Sequence, residues 1–171
     1  MKKLLILFLL CSGAAFAQEK TEYKTTHRFT ITGQIKKESV INLDSLNAYP
    51  LKDLGEIRVT NHLGDFKHND EKLKGVLLKD ILIHSQLNAA SPKLYSQFYF
   101  VCVGSDGYKV VYSWNELFNT QVGDNVFILM EKNGIKADKL PESLQMASML
   151  DQKTGRRYLH NLDKIIVAQV Q

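Results

Sequence analysis

The stretch FYFVCVGSDGYKVVYSWNEL, residues 98–117, constrains the fold of this chain more than any other. Its first six residues, Phe98 to Val103, are apolar and rich in aromatic and β-branched side chains, the composition of a core strand buried on both faces. Asp106-Gly107 then supplies a tight turn, because glycine adopts positive φ without a Cβ penalty, and Tyr108 to Tyr112 return as a second strand. Ser113-Trp114-Asn115-Glu116 matches the S-x-x-E capping box, in which serine and glutamate side chains satisfy free N–H groups at a helix start, so a short helix begins at Trp114. Strand, turn, strand and capped helix thus follow one another with no slack.

The rest of the chain carries the same short-element pattern. Phe29, Ile31, Gly33 and Ile35 alternate with polar residues, as on a half-buried strand, and Val40 to Leu43 can pair with them. Asp44 is placed to cap a helical turn ending before Pro50. Ile57 and Val59 mark a further strand, turned at His62-Leu63-Gly64-Asp65 into Phe66. Leu73, Leu77, Leu78, Ile81 and Leu82 fall at helical spacing, which predicts an amphipathic helix of two to three turns in LKGVLLKDILIHSQL. Residues 125–131 read as a strand before the Lys132-Asn133-Gly134 turn, Met149-Leu150 as the start of another, and Ile165 to Val170 as the last. Residues 135–148 give no clear period. Many short strands with a few short helices make a β-rich α+β domain with a mixed sheet.

The first residues read differently. MKKLLILFLLCSGAAFAQ has a basic start, an apolar stretch and a small-x-small site, which predicts a cleavable export signal over 1–17. Its apolar stretch falls far short of the roughly 20 residues that span a bilayer, so no membrane span is expected after cleavage. Polar residues 18–27 form a loose lead-in, and 28–171 the folded domain, in a periplasmic or secreted protein. Cleavage takes away Lys2 and Lys3 and no acid, leaving a formal charge of about +2 from the full chain's +4. That balance is too mild and too evenly spread for a nucleic-acid partner. About 154 residues suffice for a core without disulfide help.

With Cys11 removed in the signal, Cys102 stands alone and has no internal disulfide partner. A thiolate is a soft metal ligand, but free cysteine is also among the most buried residue types. No CxxC, histidine or lysine adjoins it to lower its pKa, so the residues favour an inert buried thiol. His27, His62, His68, His84 and His160 show no HxxxH or HExxH spacing. Gly104-Ser105-Asp106-Gly107 lacks the strand-to-helix elbow of a serine nucleophile and reads as a turn. Tyr108, Tyr112, Trp114 and Phe118 are an aromatic set that suits a core or a pocket wall. Arg156 and Arg157 could hold an anion, or form a solvated turn.

In order, FTITGQI, LKGVLLKDIL, GSDGYKVVYSWNEL, an Asn-Gly turn and GRRYLHNLDKIIV resemble the sulfite-oxidase-type molybdopterin-binding domain of oxidoreductases, over residues 28–170. This chain would be a small stand-alone exported member. The resemblance implies a molybdenum held by molybdopterin over the sheet, with a cysteine as metal ligand and basic residues on the pterin phosphate. Carried onto this sequence, it implies Cys102 as the metal ligand, Arg156 and Arg157 as cofactor contacts, and Tyr108 as the catalytic residue beside the substrate channel. The chain is about half the usual length of loaded members, and KADKLPESLQMASML replaces their proline-rich G-x-P-x-R segment. The reading that follows is a binding module of this fold, for a small anionic ligand, a pterin or a periplasmic protein partner. The alternatives are an active molybdenum oxidoreductase acting on an oxyanion or sulfoxide, and an interaction scaffold.

Overall fold

Two five-stranded sheets share one apolar interior in the computed structural model, which describes residues 24–170. The expected signal over 1–17, with Cys11, and the first part of the lead-in lie outside the described residues. The first sheet holds β1 (Arg28–Gly33), β2 (Ser39–Asn42), β5 (Phe98–Gly104), β6 (Lys109–Ser113) and β10 (Leu162–Gln169), in the order β2-β1-β10-β5-β6. β1 and β10 run parallel and every other pair in this sheet is antiparallel. The second sheet is β3 (Lys52–Thr60), β4 (Phe66–Leu77), β7 (Val126–Lys132) and β8 (Ile135–Lys136), with β9 (Gln145–Ser148) also paired to β7.

Alternation explains the shared interior. Phe29 and Ile31 of β1, Phe98, Phe100 and Cys102 of β5, Tyr112 of β6, and Ile165 and Val167 of β10 point to one face. They meet Val76 of β4, Ile128 of β7 and Met146 of β9 from the second sheet. The intervening residues Leu77, Phe127, Leu129 and Ala147 form a second cluster on the other side, with Ile57 and Tyr158. The middle of the second sheet, formed by β9, the first half of β7 and the last residues of β4, is therefore buried on both faces, while β3 and β8 stay largely exposed. Burial on this scale contributes roughly 25 cal/mol per Å² of apolar surface removed from water. Irregularities in the β3–β4 pairing add twist to this long ribbon.

Three short helices fill the corners: α1 (Leu43–Leu46), α2 (Leu78–Leu82) and α3 (Trp114–Asn119). The capping box predicted at Ser113 is present, with Glu116 N donating to Ser113 Oγ at 3.1 Å and Ser113 N to Glu116 Oε2 at 2.8 Å. The cap of α1 is Asn42, whose side chain accepts from Ser45 N, rather than the expected Asp44, which sits inside the first turn. The helix expected from Leu73 begins only at Leu78, because Leu73 to Leu77 extend β4. Gly75 explains the difference: a Cβ there would lie 2.9 Å from the Ile128 carbonyl oxygen, so the residue accommodates the close approach of β7. Met149 lies just past β9 rather than opening a strand. Phe98 to Val103 do form a strand, although Tyr99 and Val101 are half-buried, so the first sheet's outer face is less covered than expected. No helix among the described residues is long and apolar enough to cross a membrane.

Candidate functional site

The antiparallel pairing of β5 and β6 gives the first sheet two distinct ends. At one end β5 finishes, the Asp106-Gly107 turn follows and β6 begins. At the other, β1, β10 and β6 finish and β5 begins. Six residue steps of β5 separate them, roughly 20 Å. Tyr108 and Arg156 lie at the first of these ends and an aromatic cleft at the second.

Tyr108 and Arg156 stand together at the turn end. Tyr108 N donates to Asp106 Oδ1, and the phenol donates to the Arg156 carbonyl oxygen at 2.8 Å. Arg156 Nε donates to the His62 carbonyl oxygen at 2.9 Å, which ties the 3-10 turn Thr154–Arg156 to the β3–β4 connection. Thr154 strengthens that junction, donating through Oγ1 to the Arg58 carbonyl oxygen and accepting from Thr60 N. The lead-in also reaches this end, where Ser105 Oγ donates to the Lys24 carbonyl oxygen.

Arg157 turns away from its neighbour. Its Nε and Nη2 grip the Asp151 carboxylate at 2.7 and 2.5 Å, and Nη1 reaches Glu116 Oε1 at 3.2 Å. The guanidinium carbon lies 4.7 Å over the Tyr112 ring centre, a cation–π contact. The hydrogen bonds to Asp151 hold the Arg157 pKa well above its ordinary value, so the group stays charged. Burial raises the Tyr112 phenol, with the Arg157 charge opposing, and its hydroxyl has no hydrogen-bond partner among the described residues.

Cys102 is the most enclosed of the group, at 0% exposure on the inner face of β5. It sits opposite Ile165 and Val110 in the pairing of its two neighbouring strands. Burial pushes its thiol from the ordinary 9.0 up to about 12, which keeps it protonated near neutral pH. Among the described residues no three His, Cys, Asp or Glu side chains converge as a metal site. Two consequences can be measured. Peptide mapping after iodoacetamide treatment at pH 8 should find Cys102 unlabelled in the folded protein and labelled once it is unfolded. Because the folded thiol has the higher pKa, its stabilising contribution is full below pH 9.0 and lost as pH rises toward about 12. A Cys102→Ala variant should therefore show a shallower fall in stability over that range.

The opposite end of the sheet opens into a cleft of about 530 Å³. Leu82, Leu87, Tyr95, Phe100, Trp114 and Phe118 form its apolar lining. Trp114 and Phe118 lie one helical turn apart on α3 and stack at 5.4 Å between centroids with 25° between planes. Tyr95, from the 3-10 turn Pro92–Gln97, tilts against Trp114 at 5.5 Å, and Phe100 against Phe118 at 6.2 Å. Backbone bonds fix the facing wall: Lys36 N donates to the Gln86 carbonyl oxygen and Asn88 N to that of Gln34, around the Ile35–Leu87 bridge. Of the aromatic set noted in the sequence, Trp114 and Phe118 line this cleft, Tyr112 is buried in the core and Tyr108 is at the other end.

No family profile matches this chain, and no curated protein does. Among solved structures it is similar to the sulfane dehydrogenase SoxCD from Paracoccus pantotrophus, at 14% identity and a TM-score of 0.58. The match covers 82% of this chain and 38% of that one, so this chain spans well under half the length of the structure it resembles. The likeness is one of fold.

Proposed function

We propose that this chain is an exported binding module built on the sulfite-oxidase-type molybdopterin-binding fold, and that it takes a small molecule in its aromatic cleft. The observation that carries this reading is the cleft: a concavity of about 530 Å³ with half-buried aromatic faces and backbone-tethered walls. Its size lies in the range of ligand pockets, and aromatic linings are their usual material. The likeness in fold to a sulfane dehydrogenase supports the choice of fold family.

The residues expected to hold a molybdenum-pterin group do not fit one in this arrangement. A ligating thiol has to ionise and meet its metal, whereas Cys102 is sealed among apolar side chains. A pterin phosphate needs several convergent donors to offset its desolvation. Arg157 is committed to Asp151 and Glu116, which leaves Arg156 as the remaining basic contact of the pair. Tyr108 serves here as a brace to the Arg156 backbone, and the same hydrogen bond would hold it in place beside any ligand at that end.

Metal analysis of protein purified from its native host tests the assignment. The expected result is molybdenum far below one atom per chain, together with a small-molecule adduct in native mass spectrometry that is lost on denaturation. Near-stoichiometric molybdenum that disappears in Cys102→Ser would overturn the reading in favour of an active oxidoreductase. Co-purifying protein without a small-molecule adduct would favour a scaffold instead.

A further inference from the structure

The geometry points to a flat aromatic carboxylate, or a comparable planar monoanion, as the class of ligand that the cleft takes, with Lys36 as its charge-reading residue. This inference rests on the cleft being the binding site. Three observations lead to it, concerning shape, charge and position.

Shape comes from the aromatic wall. Trp114 and Phe118 are near-parallel, with 25° between planes, and both are half-buried, so each keeps part of its surface open. Tyr95 meets Trp114 at 48°, closing the wall from the side. Ring faces in such an arrangement favour a planar partner that can lie offset against them, over a branched or spherical one. Leu82 and Leu87 provide apolar surface in the same lining.

Charge comes from what the lining contains and omits. Lys36 is its one charged residue, and the cleft has no carboxylate. Among the described residues no acidic side chain forms an ion pair with Lys36, unlike Lys74, Lys79, Lys132 and Lys139. An aromatic wall alone would also attract cations through the ring faces. An uncompensated lysine reverses that preference, because a second cation brought into a partly desolvated cleft is repelled and an anion is attracted. Ser85 and Gln86 add uncharged hydrogen-bonding groups beside it.

Position makes Lys36 a recognition group more than a solvated surface lysine. It lines both the aromatic cleft and an adjoining concavity of about 400 Å³, and Ser85 and Gln86 are likewise shared. Lys37 also lines the second concavity, which strengthens the positive side of that boundary even with Glu38 present. The backbone at Lys36 is fixed by its bond to the Gln86 carbonyl oxygen, which holds the root of this exposed side chain at the boundary.

Isothermal titration of the intact protein with three probes of one shape tests this: 2-naphthoate, neutral 2-naphthylmethanol and cationic 2-naphthylmethylammonium. Two variants accompany it: Lys36→Gln, which removes only the charge at an exposed position, and Ala89→Trp, which fills the cleft from a half-buried alanine of its lining. The expected result is naphthoate binding about fivefold more tightly than the alcohol, the size of one partly exposed charge contact, with the ammonium weakest. Lys36→Gln should bring naphthoate down to the alcohol and leave the alcohol unchanged. Ala89→Trp should weaken all three at least tenfold, with an unchanged circular dichroism spectrum confirming its fold. Equal binding of the three probes, or an anion preference that survives Lys36→Gln, overturns the ligand class and leaves the cleft as the site. No binding by any probe, or binding indifferent to Ala89→Trp in a folded protein, removes the cleft reading along with it.

Discussion

Arg157→Ala should lower the unfolding free energy by about 2–4 kcal/mol, read as a shift in the urea midpoint. The cause is a stranded charge. Asp151 is 11% exposed in its side chain and receives two N–H bonds from Arg157, with Ser148 Oγ as its other partner. Truncation leaves that carboxylate without its counter-charge, and breaking a buried pair costs about 3–5 kcal/mol when both groups are enclosed. The loss can fall below that range because the Arg157 side chain remains 24% exposed and solvent screens the pair. The Tyr112 ring also loses the guanidinium stacked over it. Arg157→Lys should recover less than half the loss, because an ammonium cannot reproduce the two-pronged bond and the flat stack together. A shift below about 0.5 kcal/mol for Arg157→Ala would mean that solvent replaces the network at no cost, as at an ordinary surface site.

The second large effect is expected at Gly33, where Ala should cost about 3 kcal/mol by the same measurement, the sum of backbone strain and overpacking. Gly33 ends β1 at φ +96°, and an added Cβ would stand 2.2 Å from the carbonyl oxygen of Val167, its partner across the parallel pairing. That oxygen also accepts from Gln34 N at 2.8 Å, so retreat breaks a sheet bond. Gly107→Ala is the control: it has φ +83° but nothing within 4 Å of a Cβ, so it should show the torsional part alone, about 1 kcal/mol. Equal losses at the two positions would show that collision with Val167 contributes nothing.

These two sites also show how far the sequence reads through to the fold. Period-2 alternation marked β1, the apolar run and the Asp106-Gly107 turn marked β5 and β6, and the Ser113–Glu116 box marked the start of α3, because each signal is local and chemically specific. LKGVLL failed that way: its apolar residues suit either period, and the choice of strand depends on a β7 carbonyl more than fifty residues away. The candidate site was half visible. Trp114 and Phe118 stand four apart on α3, but Lys36 comes from the β1–β2 connection and Leu87 and Tyr95 from the α2–β5 connection, which only the sheet topology assembles. For Arg157, a double-basic turn suggests an anion contact, and nothing in its neighbours announces that Asp151 and Glu116 already occupy it.

The parallel pairing of β1 with β10 has a consequence for the order in which the molecule can form. β10 follows all the other strands in the chain, yet it lies at the middle of its sheet, between β1 and β5. Until it arrives, the β1–β2 and β5–β6 hairpins have no edge in common, and the facing edges of β1 and β5 stay unpaired. Closing the sheet means joining Thr30 to Lys164 and Ile31 to Ile165, contacts of high sequence separation whose loop entropy has to be met before they stabilise anything. Folding should therefore be slow and late-committing for a chain of this size, with the C-terminal strand acting as the latch that joins two independent hairpins.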